Sequence, residues 1–122
     1  MSPIPFEVQN ESLEDGVHTF AVMGELDLNT APELEGPLEA ALDGDDAQVL
    51  IDLSSCEFID STGIALLVRA WQRVDRDAGE GQGRLVICCS NDQVRRLLKI
   101  TGVESSISMH PSRDSALAEL RG

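Results

Sequence analysis

The sequence predicts a single α/β domain spanning residues 1–122, with helices packed against a mixed, mostly parallel sheet of about four to five strands. Three observations lead there. Short apolar runs of strand type alternate along the chain with segments whose apolar residues recur at helical spacing. That alternation implies right-handed crossovers between parallel strands. Two strand-like runs near the N-terminus, separated by Glu14-Asp15-Gly16, read as a hairpin and make the sheet mixed. A chain of 122 residues is long enough for one core and too short for two.

Each element follows from its residues. Phe6-Glu7-Val8 opens the first strand, and Val17 to Met23 forms the second, with Phe20 and Val22 facing alike. Thr30-Ala31-Pro32-Glu33 has the form of a capping box: Thr30 caps, Pro32 fits the first turn and Glu33 reaches back. Leu34, Leu38, Ala41 and Leu42 continue as an apolar stripe, and Gly36-Pro37 within it argues against an unbroken helix. Asp43-Gly44-Asp45-Asp46 closes that segment. Val49 to Leu53 is an almost continuous apolar run, the mark of a strand covered on both faces.

Ile64, Leu67, Val68, Trp71 and Val74 then mark one face of a helix running from Ser61 to about Asp77. Gly79-Glu80-Gly81-Gln82-Gly83 is a connector, and Arg84 to Cys89 is the next apolar strand. Ser90-Asn91-Asp92-Gln93 offers a second capping box ahead of Val94, Leu97 and Leu98, with a stop at Gly102. Val103 to Met109 is assigned a short edge strand. Pro111-Ser112 introduces a last amphipathic helix carrying Ala116, Leu117 and Leu120.

The formal net charge of -13 argues against nucleic acid as a partner, because phosphate backbones require clustered Lys and Arg and the nine here are scattered. It argues equally against anionic membrane surfaces. Such a charge keeps a small domain soluble and can steer it to a basic partner. Cys56, Cys88 and Cys89 form no disulfide framework and show no zinc-ligand spacing, and His18 and His110 stand alone, so no metal or cofactor is expected. Cys88 and Cys89, adjacent on a strand, should face opposite sides. All three read as reduced, mostly buried thiols of a cytoplasmic protein. Met1-Ser2-Pro3-Ile4-Pro5 lacks the basic-then-apolar order of a signal peptide, and no apolar stretch approaches membrane-spanning length.

The stretch with most chemical content is Phe58-Ile59-Asp60-Ser61-Thr62-Gly63. It delivers the Ser61 hydroxyl to the start of a helix, where unpaired N–H groups and the positive dipole end favour negative charge. Two readings of Ser61 stand on the residues alone. Asp-Ser-Thr before an apolar periodic run is ordinary N-terminal capping chemistry. A hydroxyl in such a place could also gain and lose a phosphate, and the two roles are compatible.

Gly24-Glu25-Leu26-Asp27-Leu28-Asn29-Thr30-Ala31, followed by Phe58-Ile59-Asp60-Ser61-Thr62-Gly63-Ile64, resembles the STAS domain, and within it the stand-alone bacterial anti-sigma factor antagonists. The resemblance runs from about Phe6 to Leu120, and the two motifs together are far more specific than either alone. It implies the STAS fold. It also implies that the serine matching Ser61 is phosphorylated by an anti-sigma factor that is a serine kinase, that the unphosphorylated form binds this kinase and frees a sigma factor, and that a separate serine phosphatase resets the system. The partner surface would comprise Asp27, Asn29, Thr30, Asp60, Ser61, Thr62 and Gly63.

Bland alternatives stand beside several of these roles. Asp27 either closes its turn or contacts the kinase, and Asp60 either caps locally or is recognised. Asn29 and Thr30 serve first the turn and cap. Thr62 is structural or a minor phosphoacceptor. Gly63 allows either a partner's close approach or a tight, flexible loop. No enzyme activity is expected: neither histidine sits in a triad context, Gly63 completes no nucleophile elbow, and Gly79 to Gly83 lacks the lysine of a P-loop. The rival functions are a non-switching STAS scaffold in a lipid-transport or stress-sensing complex and, more remotely, direct nucleotide binding at the Ser61 loop.

Overall fold

A computed structural model describes residues 4–13, 15–43, 47–77 and 84–121. The expected connector at Gly79 to Gly83, the Gly44-Asp45-Asp46 stretch and Glu14 of the hairpin turn lie outside the described residues. The elements are β1 (Glu7–Ser12), β2 (Val17–Leu26), α1 (Ala31–Leu42), β3 (Gln48–Asp52), β4 (Cys56–Ile59), α2 (Ser61–Asp77), β5 (Arg84–Cys88), α3 (Asp92–Ile100), α4 (Val103–Ser106), β6 (Met109–His110) and α5 (Arg113–Arg121).

The sheet runs β1-β2-β3-β5-β6, with β4 also paired to β2. β1 and β2 are antiparallel, and every other pairing is parallel. The mixed, mostly parallel α/β architecture with an opening hairpin is therefore present. β2 is ten residues long and outruns β3, which matches it only from Val17 to Ala21. The remaining length of β2 pairs with β4, Glu25 opposite Phe58 and Leu26 opposite Ile59, after a register shift at Gly24. β4 is a strand that the sequence pattern does not announce.

Apolar layers lie on both sides of the sheet. On one face Phe20, Val22, Leu26, Val49 and Ile51 pack beneath α1, α2 and α3; on the other Val17, Leu50, Val86 and Cys88 pack against Ala116 of α5. The unbroken apolar run at β3 is explained by this double cover. Cys88 and Cys89 fall into opposite layers, as strand geometry requires. Arg113 donates to Asp52 at 3.0 and 3.3 Å, tying α5 to the end of β3.

Several local expectations are corrected. α1 is continuous through Gly36 and Pro37. Those two residues cost a helix about 4 kcal/mol by propensity. Full burial of Leu34, Leu38 and Leu42 stabilises it by roughly 1.5–3 kcal/mol each, which outweighs that cost. Thr30 does not cap α1 through its side chain. α3 is capped not by Ser90 but by Asn91, whose Oδ1 accepts from the N–H of Gln93 and Val94. Gly102 does end α3, at a φ of 84°. Val103 begins the short helix α4, and the edge strand is confined to Met109–His110.

Candidate functional site

The site forms where β2 and β4 end side by side. Two glycines make this geometry possible. Gly24 has φ of 86°, and a Cβ there would lie 3.0 Å from the backbone of Ile4 and Phe6. Gly63, in the first turn of α2, is buried; a Cβ on it would lie 2.8 Å from Ile59 Cγ1 and 2.9 Å from Leu26 Cγ and Leu26 O. The close approach that Gly63 allows is thus to its own chain, which sets the start of α2 directly on the ends of β2 and β4.

Asp60 is the N-cap of α2. Its carbonyl accepts from Ile64 N at 3.0 Å, and its Oδ1 accepts from Gly63 N at 3.0 Å. Its own N–H donates to Leu26 O at 3.1 Å. Its second oxygen, Oδ2, accepts from Leu28 N at 3.1 Å, although Leu28 lies 32 residues away in sequence. One carboxylate therefore joins the α2 cap to the loop between β2 and α1.

That loop is closed by its own side chains. Asp27 Oδ1 accepts from the N–H of Asn29 at 3.0 Å and of Thr30 at 3.1 Å. The Thr30 hydroxyl donates to Glu25 O at 2.7 Å and accepts from Asp27 N at 2.9 Å. Asp27 O accepts from Ala31 N at 2.8 Å and begins α1. The expected capping box fails because the Thr30 hydroxyl is already engaged with Glu25 and Asp27. Every backbone N–H from Asp27 to Ala31 has a partner within this network.

Ser61 follows Asp60 as the first residue of α2 and is exposed. Among the described residues its hydroxyl takes no hydrogen bond, so Asp60, and not Ser61, does the capping. Thr62 is half-buried and Asn29 is exposed. Asp27, Asn29, Thr30, Asp60, Ser61, Thr62 and Gly63 are thus brought together by the fold, with the carboxylates of Asp27 and Asp60 both engaged in holding the two loops. No three His, Cys, Asp or Glu side chains among the described residues are placed to share a metal ion.

Two apolar residues at this place escape sequence reasoning. Leu28 is 70 % exposed at the tip of the β2–α1 loop, and Phe58 on β4 is 39 % exposed. The available signal for Leu28 was a lone leucine set between the turn-formers Asp27 and Asn29, outside any apolar periodicity.

The profile of the STAS domain matches residues 12–116. The chain belongs to the STAS domain family. The anti-sigma-B factor antagonist of Staphylococcus aureus is 31% identical to this STAS domain over 91 residues, covering 75% of this chain and 81% of the relative. The crystal structure of an anti-sigma factor antagonist from Mycobacterium paratuberculosis is 30% identical, with a TM-score of 0.77 over 98% of this chain and 95% of that one. The phosphorylated form of the Bacillus cell fate determinant SpoIIAA has a TM-score of 0.70 at 17% identity, over 94% of this chain and 100% of that one, a likeness of fold alone. In this STAS domain the two stitched loops lie at the C-terminal ends of neighbouring parallel strands, where α/β sheets commonly place their sites.

Proposed function

We propose that this STAS domain is an anti-sigma factor antagonist. Its unphosphorylated form binds an anti-sigma factor serine kinase in the cytoplasm and releases a sigma factor, and phosphorylation of Ser61 ends the binding. The observation that carries this reading is the Ser61 hydroxyl: exposed, without a hydrogen bond among the described residues, and set at the first position of α2 beside a carboxylate cap. Relatives with the name of anti-sigma factor antagonists support it. The domain is the substrate in this reaction and the kinase is the catalyst. The Ser61 oxygen takes the γ-phosphoryl group of ATP, ADP leaves, and the hydroxyl proton passes to a base on the kinase.

The physical consequence is local. A phosphate adds about -1.5 to -2 charges and three acceptor oxygens. The N-terminus of α2 accommodates part of that charge, so the fold persists. A partner packed on the two loops meets added bulk, a desolvation cost and repulsion from any carboxylate of its own. A loss of about 2–5 kcal/mol at such a contact weakens binding by roughly 30- to 5,000-fold. A serine phosphatase restores the binding form.

The test uses the purified kinase and ATP. Wild type should be labelled and Ser61→Ala should not, and the labelled protein should no longer bind. Equal labelling of both proteins would remove Ser61 from the mechanism. Stable binding with no labelling of either would favour the non-switching scaffold.

A further inference from the structure

We infer that Leu28 is the apolar anchor through which this domain docks on its kinase partner, and that Asp60 is the positioning residue that holds the anchor in place. The inference rests on the function proposed above and adds to it a named contact and the chemistry of its counterpart. Three observations carry it.

The first is exposure in a rigid setting. Leu28 is 70 % exposed, yet every backbone N–H from Asp27 to Ala31 is satisfied within the loop or by Asp60. A single exposed leucine is by itself ordinary on a protein surface. Here, however, four hydrogen bonds to side-chain oxygens fix the backbone that carries it. Such a residue is pre-organised, so binding it into a socket costs little further ordering.

The second is continuity with the phosphoacceptor. The Asp60 carboxylate accepts from Leu28 N through one oxygen and from Gly63 N through the other. Ser61 lies between Asp60 and Gly63, so the anchor and the hydroxyl are presented by one hydrogen-bonded unit. A partner seated on both loops would meet Leu28 and Ser61 together.

The third is charge. The carboxylates of Asp27 and Asp60 hold the loop that carries Leu28, in a chain of net charge -13. The complementary surface is an apolar socket rimmed by Lys or Arg. It would recognise the leucine by burial and the loops by charge.

The assay titrates each variant against the small ATP-binding anti-sigma factors encoded in the same genome, purified with ADP. Leu28→Ala should bind about 10- to 100-fold more weakly, the effect of losing one buried leucine side chain. Its melting temperature should match wild type, because the side chain is exposed. In the kinase reaction Leu28→Ala should raise KM and leave kcat unchanged, since docking and not chemistry is lost. Ile100→Ala, at a residue 73 % exposed at the end of α3, should change neither.

Asp60→Ala should speed hydrogen exchange at the Leu28 amide and weaken binding. In the Leu28→Ala background that second loss should shrink, because Asp60 acts through the anchor. Wild-type affinity for Leu28→Ala, alongside normal labelling of Ser61, would overturn the anchor and leave the proposed function standing. Fully additive losses would overturn the positioning role of Asp60. Failure of the wild type to bind or be labelled would overturn the function and the anchor together.

Discussion

Two glycine-to-alanine substitutions on neighbouring helices should move stability in opposite directions. In Gly63→Ala the new methyl carbon arrives 2.8 Å from Ile59 Cγ1 and 2.9 Å from both Leu26 Cγ and Leu26 O. The two side chains can rotate, but the carbonyl oxygen belongs to the paired end of β2 and cannot. Overpacking of this kind costs about 1–3 kcal/mol, and the backbone contact places it at the upper end. Alanine returns up to about 1 kcal/mol of helix propensity. The net expectation is a loss of about 2 kcal/mol, or a fall in Tm of roughly 8 °C for a domain of this size. Gly36→Ala in α1 meets nothing within 4 Å and should stabilise by about 0.5–1 kcal/mol. Urea unfolding monitored by the Trp71 fluorescence measures both. A Gly63→Ala protein as stable as wild type would refute the claim that α2 is seated directly on the ends of β2 and β4.

Two further outcomes follow from titratable groups. Burial raises the Asp52 carboxyl, but the backbone and hydroxyl of Ser54 and then Arg113 lower it by more, leaving it below the ordinary 3.8. A carboxyl depressed in the folded state contributes stability above its unfolded value and loses it as pH falls through the folded one. Arg113→Ala should therefore cost about 1 kcal/mol at pH 7, tempered by the exposure of Arg113, and less at an acid pH at which the folded-state carboxyl is protonated. An equal loss at both pH values in urea titrations would contradict the pairing. Burial pushes the Cys56 thiol up to about 11 and the Cys88 thiol up to about 12, and raises Cys89 as well. Ellman's reagent at about pH 8 should find almost no reactive thiol in the native protein, because the thiolate is the reacting form. It should find all three cysteines once the chain is unfolded in denaturant; one fast native thiol would contradict the burial.

What could be read directly from the chain was whatever depends on neighbours in sequence. Alternation of period two exposed β2, the unbroken run at Val49 to Leu53 exposed a doubly covered strand, and the stripe from Ile64 to Val74 exposed α2. The opposite facing of Cys88 and Cys89 follows from strand geometry alone. The position of Ser61 at a strand-to-helix connection was legible for the same reason, and two short motifs were enough to indicate the family.

Where hydrogen-bond donors and methyl groups found their partners was decided only by the tertiary structure. Cys56 to Ile59 becomes a strand because β2 extends beyond β3 and leaves an edge to be paired. The Thr30 hydroxyl donates to Glu25 O and accepts from Asp27 N, in place of the expected cap, because the folded loop brings those partners within 2.7 and 2.9 Å. Gly63 is required by Leu26 and Ile59, and Leu28 is held by a carboxylate 32 residues away. Local periodicity carries no record of such distant encounters. They depend on which segments the completed sheet brings within hydrogen-bond and contact distance.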